Sequence, residues 1–211
     1  GWQPPLFAHH PLILGPDRSP LSKRHGATAV SQYREEGFLP EALENYLVLL
    51  GWTPPSGQET LSLERMIEEF SIQDVSKSAP VYNRKKLEWL NSHYIRAKEE
   101  GQLSKLLIPY LQKAGIRADQ TNPQWLNQTL ELLKENLVLL SQVEQYLGIF
   151  FDEKFFFEDG AKTILQDPRN REILDSVLRF LEDPSGFRSD DQDPLLSQLE
   201  KKTGRKGKGL Y

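Results

Sequence analysis

Pro11-Leu12-Ile13-Leu14-Gly15-Pro16-Asp17-Arg18-Ser19-Pro20-Leu21-Ser22-Lys23-Arg24-His25-Gly26 divides the chain into two unlike parts. Leu12-Ile13-Leu14 reads as a short extended segment, and Gly15-Pro16-Asp17 as the turn that ends it. Ser19 to Gly26 reads as a polar, basic loop. Beyond the loop every apolar pattern has helical spacing, so strand evidence stops before residue 21 and the fold class is mainly α.

The helices can be placed one by one. Ala42, Leu43, Tyr46, Leu47 and Leu50 recur at helical spacing, with Pro40 suited to a first turn and Gly51 to a stop. Leu63, Met66, Ile67 and Phe70 form a second stripe, with Ser62 as its cap. Asn83 caps a helix carrying Leu87, Leu90 and Tyr94. Leu103, Leu106, Leu107, Tyr110 and Leu111 follow, with Pro109 expected to kink the helix or remove one backbone bond, and Gly115 to end it. Asn122-Pro123 opens a run in which Leu126, Leu130, Leu133, Leu137 and Leu140 stand three or four residues apart. After Gly148 comes an aromatic cluster at Phe150, Phe151, Phe155, Phe156 and Phe157. Further helices are expected near 161–165 and 169–181. Residues 183–194 read as an acidic loop, and Leu195, Leu196 and Leu199 begin a last helix.

The 211 residues allow one or two domains. Hydrophobic residues make up 38% and charged residues 27%, ordinary for a folded chain. There is no cysteine, which excludes disulfides and thiolate metal sites and fits a reducing cytosol. No run approaches the ~18 apolar residues of a membrane span. Adjacent His9 and His10 would point to opposite faces of an extended chain, poor geometry for one metal. His25 and His93 show no Ser/Asp pattern for nucleophilic catalysis. Glu35-Glu36, Glu68-Glu69 and Glu99-Glu100 read as solvated faces.

The net charge of −4 argues mildly against nucleic acid, but its distribution does not. Arg84, Lys85 and Lys86 form one basic cluster. Lys201, Lys202, Arg205, Lys206 and Lys208 form another with no acid among them. A local basic surface on an acidic protein can bind RNA. Three cations at a helix start oppose the macrodipole unless something anionic lies nearby. Trp89 and Leu90 read as core. In the loop, Lys23 can meet phosphate charge, with Ser22 as a small donor and Arg24 as auxiliary charge.

Ser19 to Gly26 resembles the second signature loop of class I aminoacyl-tRNA synthetases, written Lys-Met-Ser-Lys-Ser in the family consensus. Phe7-Ala8-His9-His10-Pro11-Leu12-Ile13-Leu14-Gly15-Pro16-Asp17 before it and Gly26-Ala27-Thr28 after it narrow the resemblance to the bacterial-type glutamyl-tRNA synthetases. Asn45 to Trp52 is similar to that family's Tyr-Leu-x-Leu-Leu-Gly-Trp segment. Lys86-Leu87-Glu88-Trp89-Leu90-Asn91 with Tyr94-Ile95 is similar to its Lys-Leu-x-Trp-Leu-Asn and Tyr-Ile. The match is dense from residue 4 to about 95, and beyond that rests on helical pattern and Phe155-Phe156-Phe157. Pro20 departs from the lysine usual at the first motif position. That leaves Lys23 as the main charge and stiffens the loop. ATP affinity or loop closure should differ accordingly, which pyrophosphate exchange by a Pro20→Lys enzyme would reveal.

The resemblance implies three pieces. Residues 1–30 are the edge of an α/β catalytic domain with its signature loop, 31–97 a helical stem-contact domain, and 98–211 a truncated helical anticodon-binding domain. It implies a parent enzyme, monomeric and cytoplasmic, that activates glutamate with ATP and Mg2+ and transfers it to the glutamate tRNA. Ser22, Lys23 and Arg24 would serve ATP phosphates. Arg84, Lys85, Lys86, Lys202, Arg205, Lys206 and Lys208 would serve tRNA. The fragment holds no catalytic or metal-binding residues and is expected to be inactive alone, binding no cofactor by itself. The alternative is a non-catalytic helical RNA-binding or scaffold module.

Overall fold

The computed structural model describes residues 2–26, 29–99, 101–118, 121–151, 154–157, 159–182 and 201. The expected acidic loop at 183–194 and the helix beginning at Leu195 lie outside the described residues. Contacts group the chain into two compact units, Gly1–Lys154 and Phe155–Tyr211.

The first unit opens with a tight hairpin. Leu21 N–H donates to the Ile13 carbonyl and Gly15 N–H to the Ser19 carbonyl, with Arg18 in the left-handed region at φ 61°. Leu14 faces Pro20 on one side and Val81 on the other, in isolated antiparallel and parallel bridges. Pro20 stands opposite Leu14 between the two bonded pairs, so its missing N–H removes no bond from this hairpin.

Helices follow. α1 (Val30–Glu36) ends at Gly37. α2 (Pro40–Gly51) starts with proline at its first position, and Trp52 lies just beyond it. The helix stops at Gly51 as expected, and the exposed His10 ring lies where a side chain on Gly51 would stand. α3 (Leu63–Glu69) is capped by Ser62, whose Oγ accepts from Arg65 N–H. α4 (Arg84–Arg96) is capped by Asn83, whose Oδ1 accepts from Lys86 N–H. α5 (Gln102–Lys113) continues through Pro109. α6 (Pro123–Leu133) starts under Asn122, which accepts from Gln124 and Trp125. α7 (Leu147–Phe150) closes the series in this unit.

Two expectations are corrected here. Leu126, Leu130, Leu133, Leu137 and Leu140 are all buried, but they do not share one helix. α6 ends at Leu133, a single 3-10 turn follows at Lys134–Asn136, Leu137 is extended, and a longer 3-10 segment spans Leu140–Tyr146. In the stripe of α3 only Met66 is buried, against Trp52 and Leu61, while Leu63, Ile67 and Phe70 remain exposed. Spacing fixes a shared helix face. It does not fix whether anything packs on that face.

Two larger cores stabilise the first unit. One gathers Leu39, Ala42 and Ile95 with Leu103, Leu107, Leu111, Leu126, Leu130 and others as far as Leu147. The second is aromatic, with Tyr33, Phe38, Tyr46 and Tyr82 around Leu87 and Leu90. Tyr94 packs against both. Asn91, fully buried, ties the elements together: its Oδ1 accepts from Leu39 N–H at 2.7 Å and its Nδ2 donates to the Val138 carbonyl at 2.6 Å. Gly37, at φ 95°, lies so close to Ser141 and Leu140 that a Cβ there would sit 2.6 Å from backbone nitrogen.

In the second unit α8 (Asp159–Gln166) and α9 (Pro168–Glu182) pack together, and Asn170 Nδ2 donates to the Ile164 carbonyl across their junction. Phe155 and Phe157 meet edge to face at 4.9 Å, yet both are exposed.

Candidate functional site

The first candidate lies at the hairpin. Ser22 leads into a 3-10 turn, Lys23–His25, and the two cations of that turn differ in their surroundings. Arg24 is held from below. Its Nη2 is 3.1 Å from Asp17 Oδ2 and donates to Ser19 Oγ at 2.6 Å. Lys23 is exposed and carries no ion pair among the described residues. Asp17 is held well below the usual carboxylate range, chiefly by the Ser19 hydroxyl and N–H, with desolvation opposing them and His25 adding to the lowering. It therefore remains charged through the neutral range. The loop presents Lys23 and keeps Arg24 on an internal anion.

His25 is the residue that the sequence reading undervalued. Its ring lies between Ser22 and Asp17, with its side chain 9% exposed. Nδ1 accepts from Ser22 N–H at 3.1 Å, and Nε2 is 3.2 Å from Asp17 Oδ1. With Nδ1 accepting, the neutral ring carries its proton on Nε2 and donates it to Asp17. Arg24 Nε lies 3.3 Å from the same nitrogen and donates to it only in the other tautomer. So a Ser/Asp pattern around His25 does exist. It was invisible in sequence because a hairpin reversal is needed to bring Asp17 to the ring.

The second candidate is the outward face of α4. Arg84 pairs with Glu36 at 2.7 Å and Glu88 at 2.8 Å, and lies over the Phe38 ring. Lys86 pairs with Glu59 at 2.6 Å. These carboxylates are the anions that the basic helix start requires. Lys85 has no ion pair among the described residues and is exposed. Trp89, expected in the core, is 48% exposed, while Leu90 is fully buried. Its ring stacks with exposed His93 at 6.3 Å. Lys85, Trp89, His93 and Arg96 share one exposed side of α4, away from buried Leu87 and Leu90, with the His93 ring meeting Tyr94 edge to face at 6.0 Å. Projecting the sequence onto a helix already separates the two faces. An aromatic ring on the polar face of a helix stays exposed whatever its apolar character, as Trp89 does.

Lys202, Arg205, Lys206 and Lys208 lie outside the described residues. Among the described residues no group of three or more His, Asp or Glu is placed to hold a metal ion. A Mg2+ accompanying ATP would take its ligands mainly from phosphate oxygens and water. No described helix is long and apolar enough to cross a membrane.

Comparison with known proteins places these features in a class. Residues 1–89 match the family "tRNA synthetases class I (E and Q), catalytic domain", and residues 102–211 match "Anticodon binding domain". The chain belongs to the class I tRNA synthetase family of the glutamate and glutamine type. Within that class its relatives are glutamate–tRNA ligases. It is 39% identical over 214 residues to the glutamate–tRNA ligase of Carboxydothermus hydrogenoformans, covering 100% of this chain and 45% of that protein. Glutamate–tRNA ligase 2 of Syntrophus aciditrophicus is 38% identical, with 100% and 43% covered. The chain thus spans less than half the length of these relatives. A glutamate tRNA ligase of Elizabethkingia meningosepticum, solved in complex with its amino acid, shares the fold with a TM-score of 0.74 at 24% identity, over 97% of this chain and 44% of that one. The glutamate–tRNA synthetase of Elizabethkingia anophelis gives 0.69 at 25% identity, over 99% and 43%.

Proposed function

We propose that the chain is the tRNA-binding part of a glutamate–tRNA ligase, which activates glutamate with ATP and transfers it to the glutamate tRNA. The observation that carries this reading is the succession of matches in one chain, a synthetase segment over 1–89 followed by an anticodon-binding segment over 102–211. Residues 1–30 serve as the edge of the catalytic domain, 31–97 contact the tRNA stem, and 98–211 bind the anticodon. The enzyme works in the cytoplasm as a monomer.

Lys23 supplies positive charge to the leaving phosphates of ATP as pyrophosphate departs, and Ser22 a small donor beside it. Arg24 joins them by leaving Asp17, an exposed pair that costs little to exchange. Mg2+, bound with ATP, neutralises phosphate charge. On α4, Lys85 is the cation open to a phosphate. Arg84 and Lys86 can trade surface carboxylates for phosphates, and the basic residues Lys202 to Lys208 add a second contact. Such contacts position RNA without reading its sequence.

The test is a titration of this chain with the glutamate tRNA, and with the same tRNA carrying a foreign anticodon, at two salt concentrations. The expected result is tighter binding to the native anticodon, with affinity falling steeply as salt rises. Absence of binding to either tRNA would reject the reading and leave a protein-interaction module. The chain alone is expected to form no glutamyl-adenylate.

A further inference from the structure

We propose that His25 is the positioning residue of the signature loop: by joining Ser22 to Asp17 beneath the 3-10 turn, it fixes the backbone that aims Lys23 at the leaving phosphates of ATP. The inference rests on the ATP reading of the loop given above.

The geometry carries it. Residues 22–25 form one short turn, so the direction of Lys23 is set by whatever fixes the two ends of that turn. At one end Ser22 N–H is bound by His25 Nδ1 at 3.1 Å, and the Ser22 hydroxyl lies 3.2 Å from the same nitrogen. At the other end His25 N–H donates to the Ser22 carbonyl at 2.8 Å. The His25 side chain therefore closes a ring on its own turn. The ring is in turn anchored outside the turn, on Asp17 in the neighbouring arm of the hairpin.

Gly15 completes the anchor. A Cβ on Gly15 would lie 2.8 Å from the imidazole, so the glycine leaves the space the ring occupies. Two arms of a hairpin, a bare backbone and a carboxylate thus converge on one largely buried imidazole, while Lys23 stands in solvent. Asp17 has a second consequence. The carboxylate that orients His25 also holds Arg24. Lys23 is then the first cation offered to ATP, and Arg24 follows once phosphate competes with Asp17.

In the step served, a glutamate carboxylate oxygen bonds to the α-phosphorus and the bond from that phosphorus to the bridging oxygen breaks. Pyrophosphate leaves with the electron pair. Lys23 meets charge that grows on pyrophosphate only as that bond breaks. A mispointed lysine should therefore lower kcat more than it raises the KM for ATP. Displacement of a catalytic group by about 1 Å can cost roughly a hundredfold in rate.

The test has two parts. In this chain, the nitrogen shifts of the His25 imidazole should report a neutral ring with its proton on Nε2. A proton on Nδ1 overturns the proposal. In the complete ligase carrying these residues, pyrophosphate exchange is measured for Lys23→Ala, His25→Ala, His25→Asn and Asp17→Asn. His25→Ala is expected to lower kcat by about a hundredfold with little change in the KM for ATP. His25→Asn, whose amide oxygen can replace Nδ1 as acceptor for Ser22, should recover most of that loss. Asp17→Asn should fall between them. Equal losses in His25→Ala and His25→Asn, or wild-type exchange in His25→Ala, overturn the role of His25. Wild-type exchange in Lys23→Ala instead rejects the ATP reading itself, so the two failures are distinguishable. The α-helical melting midpoints should match the parent in all four variants, because the loop lies outside the leucine core.

Discussion

Asn91 shows how one polar side chain can specify a packing arrangement. It is fully buried on α4 and accepts from the first residue before α2 while donating to the Val138 carbonyl. Three segments distant in sequence are thereby held in one register. Asn91→Ala removes the partner of the buried Leu39 N–H and of the part-buried Val138 carbonyl, so it is expected to destabilise the fold by about 3 kcal/mol. Urea denaturation measures this, and a loss below about 1 kcal/mol would show that water or a shifted backbone replaces the amide. The sequence contained Asn91 within the Lys-Leu-x-Trp-Leu-Asn resemblance, but not its task, because both partners come from residues far along the chain. His25 was obscure for the same reason: its partners Asp17 and Ser22 are close in number, but only the hairpin turns them toward one ring. Lys23 was legible as an exposed cation because exposure and charge are both local properties.

Helices were legible where a cap, a proline or a glycine bounded them. Asn83 and Asn122 cap α4 and α6 as their positions suggested. The apolar faces were less legible, since burial depends on a partner. Leu63, Ile67 and Phe70 have the spacing of a packed face and are open. Trp89 is the instructive case, standing outward beside Lys85 and His93 on α4. If it were core, truncation would cost several kcal/mol. Its exposure predicts that Trp89→Ala changes stability by no more than about 0.5 kcal/mol. The same change should weaken binding of the glutamate tRNA about tenfold, because an exposed ring next to a free lysine suits stacking on a base or sugar edge. A stability loss with unchanged RNA affinity would assign the ring to packing instead. Lys85→Ala should weaken binding at low salt and lose its effect as salt rises.

At the scale of the molecule, the stability of residues 1–154 depends on two cores that share a residue. Tyr94 packs against the leucine core and the aromatic one, and its hydroxyl reaches the Leu61 carbonyl at 2.6 Å and Asn45 Oδ1 at 2.7 Å. The aromatic core contains phenols whose ionisation folding opposes. Burial pushes the Tyr46 hydroxyl up to about 12 from its ordinary value of 10, with nearby Tyr82 adding to the shift and the Asn83 N–H opposing it. Tyr33 is pushed up in the same direction, first by burial and then by Tyr82. The folded state therefore holds these protons more tightly than the unfolded chain. Below pH 10 both states are protonated and the stabilisation is complete. From 10 toward 12 the unfolded chain ionises first, so stability falls as pH rises. Because Tyr94 and Asn91 bridge the cores, the loss should not stay local. Amide exchange in α6, which contains no tyrosine, and in α5, where burial also pushes Tyr110 up, should lose protection in the same alkaline range as α2 and α4. Protection in α5 and α6 that persists while α2 and α4 open would mean that the two cores melt separately, and that the shared tyrosine contact is too weak to couple them.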